Sequence, residues 1–223
     1  MKMIKLLPLI IFDMDGTIIQ SKIDYYGTRK QIWNMLKEIM PIEDYEKIVD
    51  TPRSILELVS ILSKVDRSNT KVKQAWETIE ENERKGYEEA CVNEDVYETL
   101  DYLKNNNYTM TIFTNNSRKL TDFGLSKYNL LKYFDFILTR DDVTNTKPHP
   151  EGLIKIIKKF EVNNNSVIFI GDSWIDAETA VNAGIKFIYY GSEGAPGTRR
   201  KVIQPDYTIE RMSELIEIIE SFV

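Results

Sequence analysis

Residues 10–18 read IIFDMDGTI. An apolar run, starting at Leu7 and rich in isoleucine, ends abruptly in two aspartates, Asp13 and Asp15, followed by Gly16 and Thr17. A short run of this composition reads as a buried β-strand. Two carboxylates at its end repel each other, and crowding raises the cost of ionising both. A strand that ends this way needs something to neutralise the pair or something for the pair to do.

Four more apolar runs share this character: YTMTIFT at 108–114, FDFILT at 134–139, SVIFIG at 166–171 and IKFIYY at 185–190. Helical patterns precede each of them, over residues 92–107, 118–134, 150–162 and 176–184, with Gly184 where a C-terminal helix cap glycine belongs. Alternation of strand and helix predicts a parallel sheet covered by helices on both faces, an α/β class. One interval breaks the rhythm. Between the first two strands lie about ninety residues without a strand signal, far more than a crossover needs. Residues 28–40, 54–65 and 71–90 read there as helices punctuated by Pro41 and Pro52. The expected organisation is a core of residues 1–18 and 90–223 with a helical insert over 19–89.

The 223 residues carry a formal net charge of −6, with 42% hydrophobic and 29% charged residues. An acidic chain lacks the basic face that nucleic-acid phosphates require, so no nucleic-acid partner is expected. The opening MKMIKLLPLIIF resembles a leader, but Pro8 and the aspartates interrupt it, and no apolar run reaches the ~20 residues that span a bilayer. A cytoplasmic protein without a membrane partner is the reading. The single cysteine, Cys91, forms no internal disulfide, in keeping with a reducing compartment. Its acidic surroundings disfavour a thiolate, and it reads as a part-buried small apolar residue.

Ligands of open parallel sheets bind at the carboxyl ends of the strands. There the sequence puts Asp13, Asp15 and Gly16 after the first strand, and Thr114, Asn115, Asn116 and Ser117 after the second. Lys147 lies in RDDVTNTKPHP after the third, and Asp172 and Asp176 lie in GDSWID after the fourth. Acids and one lysine from separate segments would meet at one edge. A divalent cation resolves that crowding; Mg²⁺ takes oxygen ligands and shares its sphere with substrate phosphate. Mn²⁺ accepts the same donors.

DMDGT, TNNS, TKP and GDSWID, in that order, resemble the motifs of the haloacid dehalogenase superfamily. The insert resembles the helical cap of its phosphoglycolate phosphatase and β-phosphoglucomutase branch. The resemblance implies a Rossmann-like parallel-sheet core with an inserted all-helical cap subdomain. It implies Asp13 as nucleophile toward phosphorus and Asp15 as general acid and base. Thr114 and the Asn115 amide would bind the phosphoryl group, and Lys147 would neutralise it and hold Asp13. Asp13, Asp172 and the Asp15 carbonyl would bind Mg²⁺, with Asp176 supporting the metal's water shell or Lys147. An acid at Asp15 favours phosphate over carbon–halogen chemistry, because a halide leaves without a proton.

Substrate contacts are expected from Asn115, Asn116, Ser117 and Arg118, which adjoin Thr114, and from Arg53, where related caps carry a specificity loop. Arg53 reads equally well as a solvated helix-start residue. Arg199 and Arg200 read as a solvated pair, and His149, between two prolines, as a positional loop residue. The function expected is a Mg²⁺-dependent phosphatase of a small phosphorylated metabolite. Alternatives are a phosphomutase of the same branch and a non-catalytic phosphometabolite-binding protein. Monomer and homodimer both remain open.

Overall fold

A computed structural model describes residues 7–49, 53–191 and 203–222. The chain divides into two compact units, Met1–Gln20 with Cys91–Val223, and Ser21–Ala90. In the first, strands β1 (Leu9–Phe12), β4 (Met110–Phe113), β5 (Phe136–Leu138), β6 (Val167–Gly171), β7 (Lys186–Tyr190) and β8 (Tyr207–Ile209) form one sheet in the order β5-β4-β1-β6-β7-β8. Every pairing within it is parallel. The five expected strands are all there. The sixth, β8, is three residues with two exposed side chains, and too little apolar sequence marks it in advance.

Numbered by occurrence within this sheet alone, the strands run 3-2-1-4-5-6, the doubly wound Rossmann order. Its direction of winding reverses between β1 and β6, which opens a crevice at their carboxyl ends.

Alternate residues of a strand face opposite sides. Leu9 and Ile11 of β1 join Phe113, Phe169 and Phe187 in one buried cluster. Leu153, Ile156 and Ile157 of α7 (Glu151–Phe160) and Ala177, Ala180 and Ala183 of α8 (Trp174–Ala183) complete it. The alanines recur at helical spacing, so α8 offers a narrow face that lies close to the sheet. It ends at Gly184, whose φ of +66° is the left-handed cap expected there. Helix α5 (Val96–Asn105) packs beside α9 (Glu214–Ser221), and α6 (Arg118–Lys127) follows β4. Helix α9 was not anticipated from sequence.

A two-stranded antiparallel pair, β2 (Ile19–Gln20) with β3 (Cys91–Val92), brings the two ends of the insert together. Cys91 lies exposed on it. This corrects the part-buried reading: the side chain occupies the outward position of a two-residue edge strand, which a composition-based rule does not see.

The second unit is helical: α1 (Tyr25–Ile39), α2 (Ile42–Val49), α3 (Ile55–Val65) and α4 (Thr70–Glu88). Its core joins Ile32 and Leu36 of α1, Leu58, Val59 and Leu62 of α3, and Ala75 and Ile79 of α4. Ser54 and Glu57 cap α3 reciprocally, at 3.2 and 2.7 Å. The Asp66 carboxylate accepts the N–H groups of Lys71 and Val72, which starts α4. Helix α2 is the element missed within the insert; it is eight residues long, too short for a clear apolar period. Among the described residues no helix is long and apolar enough to cross a membrane. Arg199, Arg200 and Pro52 lie outside the described residues.

Candidate active site

Three strand ends and one loop build the site. Asp13 leaves β1 with its N–H donated to the Ile170 carbonyl of β6 at 2.8 Å. The backbone then turns tightly, with Ile18 and Ile19 both donating to the Met14 carbonyl. Gly16 sits in that turn at φ +81°, and a Cβ there would lie 2.0 Å from the Asp172 Oδ2. Only glycine permits this conformation and this approach at once. The turn therefore passes directly against the carboxylate that ends β6.

Lys147 reaches in from the loop ahead of α7. Its Nζ donates to Asp13 Oδ1 and to Asp176 Oδ1, both at 2.6 Å. The ammonium also stands 5.5 Å from the ring centres of Phe113 and Phe169, within cation–π range. Lys147 is 3% exposed and Asp176 1%. Burial lowers the proton affinity of Lys147, but the Asp13 and Asp176 carboxylates outweigh burial and hold the ammonium above its ordinary range. Asp176 is also the third residue of α8. Its Oδ2 accepts the N–H and hydroxyl of Ser173, and the Ser173 Oγ accepts the Asp176 N–H at 3.4 Å. One carboxylate thus caps a helix and anchors the buried lysine.

Asp13, Asp172 and Asp176 each offer an oxygen, and these oxygens lie within 4.8 Å of one another. One lysine does not balance three carboxylates. Burial, and then the charge of Asp176, push Asp13 well above the usual carboxylate range; the same two causes push half-buried Asp172 up to about 7. An all-oxygen donor set short of positive charge fits a hard divalent cation. With both Asp176 oxygens engaged by Lys147 and Ser173, Asp13 and Asp172 are the better direct donors.

Thr114 ends β4, its N–H donating to Leu138 at 3.1 Å and its Oγ1 accepting the Asn116 N–H at 3.2 Å. Accepting there leaves the hydroxyl proton available to an anion. The four residues expected beside it diverge. Asn115 pairs with the main chain of Lys147, and Asn116 donates from Nδ2 to the Asp15 carboxylate. Ser117 caps α6, accepting from Leu120 at 3.3 Å. Arg118 is tied to the Ile137 carbonyl at 2.8 Å and to Asp142 at 2.7 Å. Arg53 precedes α3 in the other unit, where its buried Nε finds no hydrogen-bond partner among the described residues. His149 accepts the Glu151 N–H on Nδ1 at 3.2 Å, a loop-shaping contact.

Sequence reasoning missed two supports. Asn93 donates from Nδ2 to the carbonyls of Gly16 and Thr17, at 2.8 and 2.9 Å, across separations of 77 and 76 residues. Buried Arg140 donates its main-chain N–H to the Asn116 carbonyl at 3.1 Å and its guanidinium to the Asn115 carbonyl at 3.3 Å. Neither carries a local signal, because both act on backbone brought near only by the fold.

Known proteins resemble this chain over nearly its whole length. A pyrophosphatase PpaX from Bacillus mycoides is 28% identical over 94% of this chain and 95% of its own. One from Bacillus cereus is 28% identical over 95% and 96%. Among solved structures, a HAD-superfamily hydrolase of subfamily IA from Geobacter sulfurreducens superposes with a TM-score of 0.61, at 23% identity, covering 96% of each chain. A haloacid dehalogenase-like family protein from Streptococcus pneumoniae does so at 0.66, with 20% identity over 95% and 98%. The model of the haloacid dehalogenase-like hydrolases matches residues 10–190, a span that holds Asp13, Thr114, Lys147 and Asp172. By that match the chain belongs to the haloacid dehalogenase-like hydrolase family.

Proposed function

We propose that the protein is a Mg²⁺-dependent phosphatase that hydrolyses a small phosphorylated metabolite through an aspartyl-phosphate. The observation that carries this reading is the buried Lys147 ammonium, 2.6 Å from Asp13 beside a second strand-end carboxylate, Asp172. Lys147 holds one oxygen of Asp13, which leaves the other to attack phosphorus. As that P–O bond forms, the bond to the leaving oxygen breaks, and Asp15 donates its proton there. Water then attacks the phosphorus of the aspartyl-phosphate while Asp15 takes the water proton. Inorganic phosphate leaves, and Asp13 and Asp15 return to their starting states. Thr114 orients the phosphoryl oxygens, and Lys147 offsets their charge. Mg²⁺, held by Asp13, Asp172 and the main-chain carbonyl of Asp15, would supply the positive charge that lets a carboxylate approach an anionic phosphoryl group. We assign substrate selection to the helical unit through Arg53.

The test is phosphate release from a panel of phosphate esters and inorganic pyrophosphate, with Mg²⁺ and with EDTA. Pyrophosphate is included because relatives at 28% identity bear the name pyrophosphatase. Asp13→Asn serves as the blank. Mg²⁺-dependent release that the blank abolishes supports the reading. Interconversion of a sugar phosphate without net release replaces it with a mutase. Absence of both, from folded protein, replaces it with a binding protein.

A further inference from the structure

The two asparagines after Thr114 are the obvious candidates for substrate contacts, yet their carboxamides are spent elsewhere. Asn115 Oδ1 accepts the Lys147 N–H at 3.0 Å, and Asn115 Nδ2 donates to the Lys147 carbonyl at 3.1 Å. A carboxamide matches a peptide unit in having a donor beside an acceptor, so this two-point pairing imitates a rung between strands. It fixes the main chain of a residue 32 positions away, from which the lysine reaches Asp13. Asn116 is 5% exposed, and its Nδ2 donates to the Asp15 carboxylate. The Asn116 N–H goes to Thr114 Oγ1, and its carbonyl accepts from Arg140.

We propose that Asn115 and Asn116 are a pair of positioning residues, Asn115 clamping the main chain of Lys147 and Asn116 holding the carboxylate of Asp15, and that neither side chain contacts substrate. The proposal rests on the phosphatase reading for the roles of Lys147 and Asp15. It adds that one strand end, β4, sets the placement of groups delivered by two other segments. A catalytic group displaced by about 1 Å loses on the order of a hundredfold in rate, so small shifts of either partner are enough to register.

The test compares wild type with Asn115→Ala, Asn116→Ala and Asn115→Asp, using p-nitrophenyl phosphate with Mg²⁺ and inorganic phosphate as competitive inhibitor. Positioning predicts kcat lower by about tenfold to a hundredfold in both alanine variants. In Asn116→Ala, KM and the phosphate inhibition constant should stay within about twofold, because Asp15 is assigned to proton transfer and not to phosphate binding; in Asn115→Ala, which loosens a lysine that also faces the phosphoryl group, the fall in kcat should exceed any rise in either constant. Asn115→Asp keeps the acceptor for the Lys147 N–H and loses the donor, so its kcat should fall between wild type and alanine. A raised KM and inhibition constant with kcat preserved would make the asparagines substrate contacts and overturn the proposal. Unchanged kinetics in folded alanine variants would overturn it too. Amide exchange at Lys147 supplies a readout that needs no activity: it should accelerate in Asn115→Ala and stay protected in Asn116→Ala. If wild type releases no phosphate, the phosphatase reading falls, while the exchange result still decides the clamp.

Discussion

Lys147 is the residue on which the site turns. Its buried ammonium stands between two buried carboxylates, and removing one member of such a group leaves uncompensated charge in the interior. Lys147→Ala should therefore cost both function and stability. Turnover should drop by about 10²–10³-fold or more, and stability by about 3–5 kcal/mol in EDTA. Steady-state kinetics and denaturant melts measure the two effects. Asp172 makes a complementary case. Its folded proton affinity rises to about 7 against an ordinary value of 3.8, so between those values the folded protein holds a proton that the unfolded chain has released. Stability without metal should then fall as pH rises from about 4 to about 7. A divalent cation bound there would replace that proton, so Mg²⁺ should raise the melting temperature more at pH 7.5 than at pH 5. Asp172→Asn should flatten both trends in thermal melts. A Mg²⁺ shift equal at the two pH values would contradict the linkage.

Among the elements, helix α8 begins at the cluster of Asp13, Asp172 and Asp176. Its capping box uses Ser173 and Asp176, and the same Asp176 anchors Lys147. A carboxylate in the first turn also suits the partial positive charge of a helix N-terminus. Ser173→Ala removes the cap and one restraint on Asp176. The expected cost is about 1 kcal/mol of stability, read by chemical denaturation, with a fall in kcat larger than a surface cap would produce. The turn after β1 is the second such element. Gly16→Ala puts a Cβ 2.0 Å from the Asp172 carboxylate at a positive φ. Calorimetric titration should find Mg²⁺ binding weakened or lost in this variant, and thermal melts should show a stability loss of about 1 kcal/mol or more.

At the scale of the molecule, strand order decides where catalysis can occur. Winding reverses between β1 and β6, so the carboxyl ends of these two adjacent strands are not covered by a crossover. They carry Asp13 and Asp172. The proposed reading assigns different tasks to the two units. The sheet unit holds the groups assigned to chemistry, and the helical unit, with a separate core, holds Arg53. Arg53→Ala should raise KM for the preferred substrate of the panel with kcat within about threefold of wild type. A loss confined to kcat would assign Arg53 another role.

The central strands were legible because a strand buried on both faces is predominantly apolar, and IIF, TIF and VIFI, with Thr111 their one polar residue, meet that without reference to anything distant. The class of chemistry was legible because carboxylates and a threonine at strand ends, and a lysine in the loop ahead of α7, stand in an order that resembles the family's motifs. Short edge elements were not: β8 and α2 bury too little to impose a pattern. Nor were the partners of individual polar side chains. Sequence order puts Asn115, Asn116, Ser117 and Arg118 beside Thr114, and their hydrogen bonds send them to Lys147, Asp15, the start of α6 and Asp142. Local hydrophobic pattern was enough to tell which groups stand near the carboxyl edge of the sheet, because it depends only on neighbouring residues. Which of them meet is settled by the folded chain, because a hydrogen bond depends on ångström-scale placement of segments such as Asn93 and Gly16, 77 residues apart.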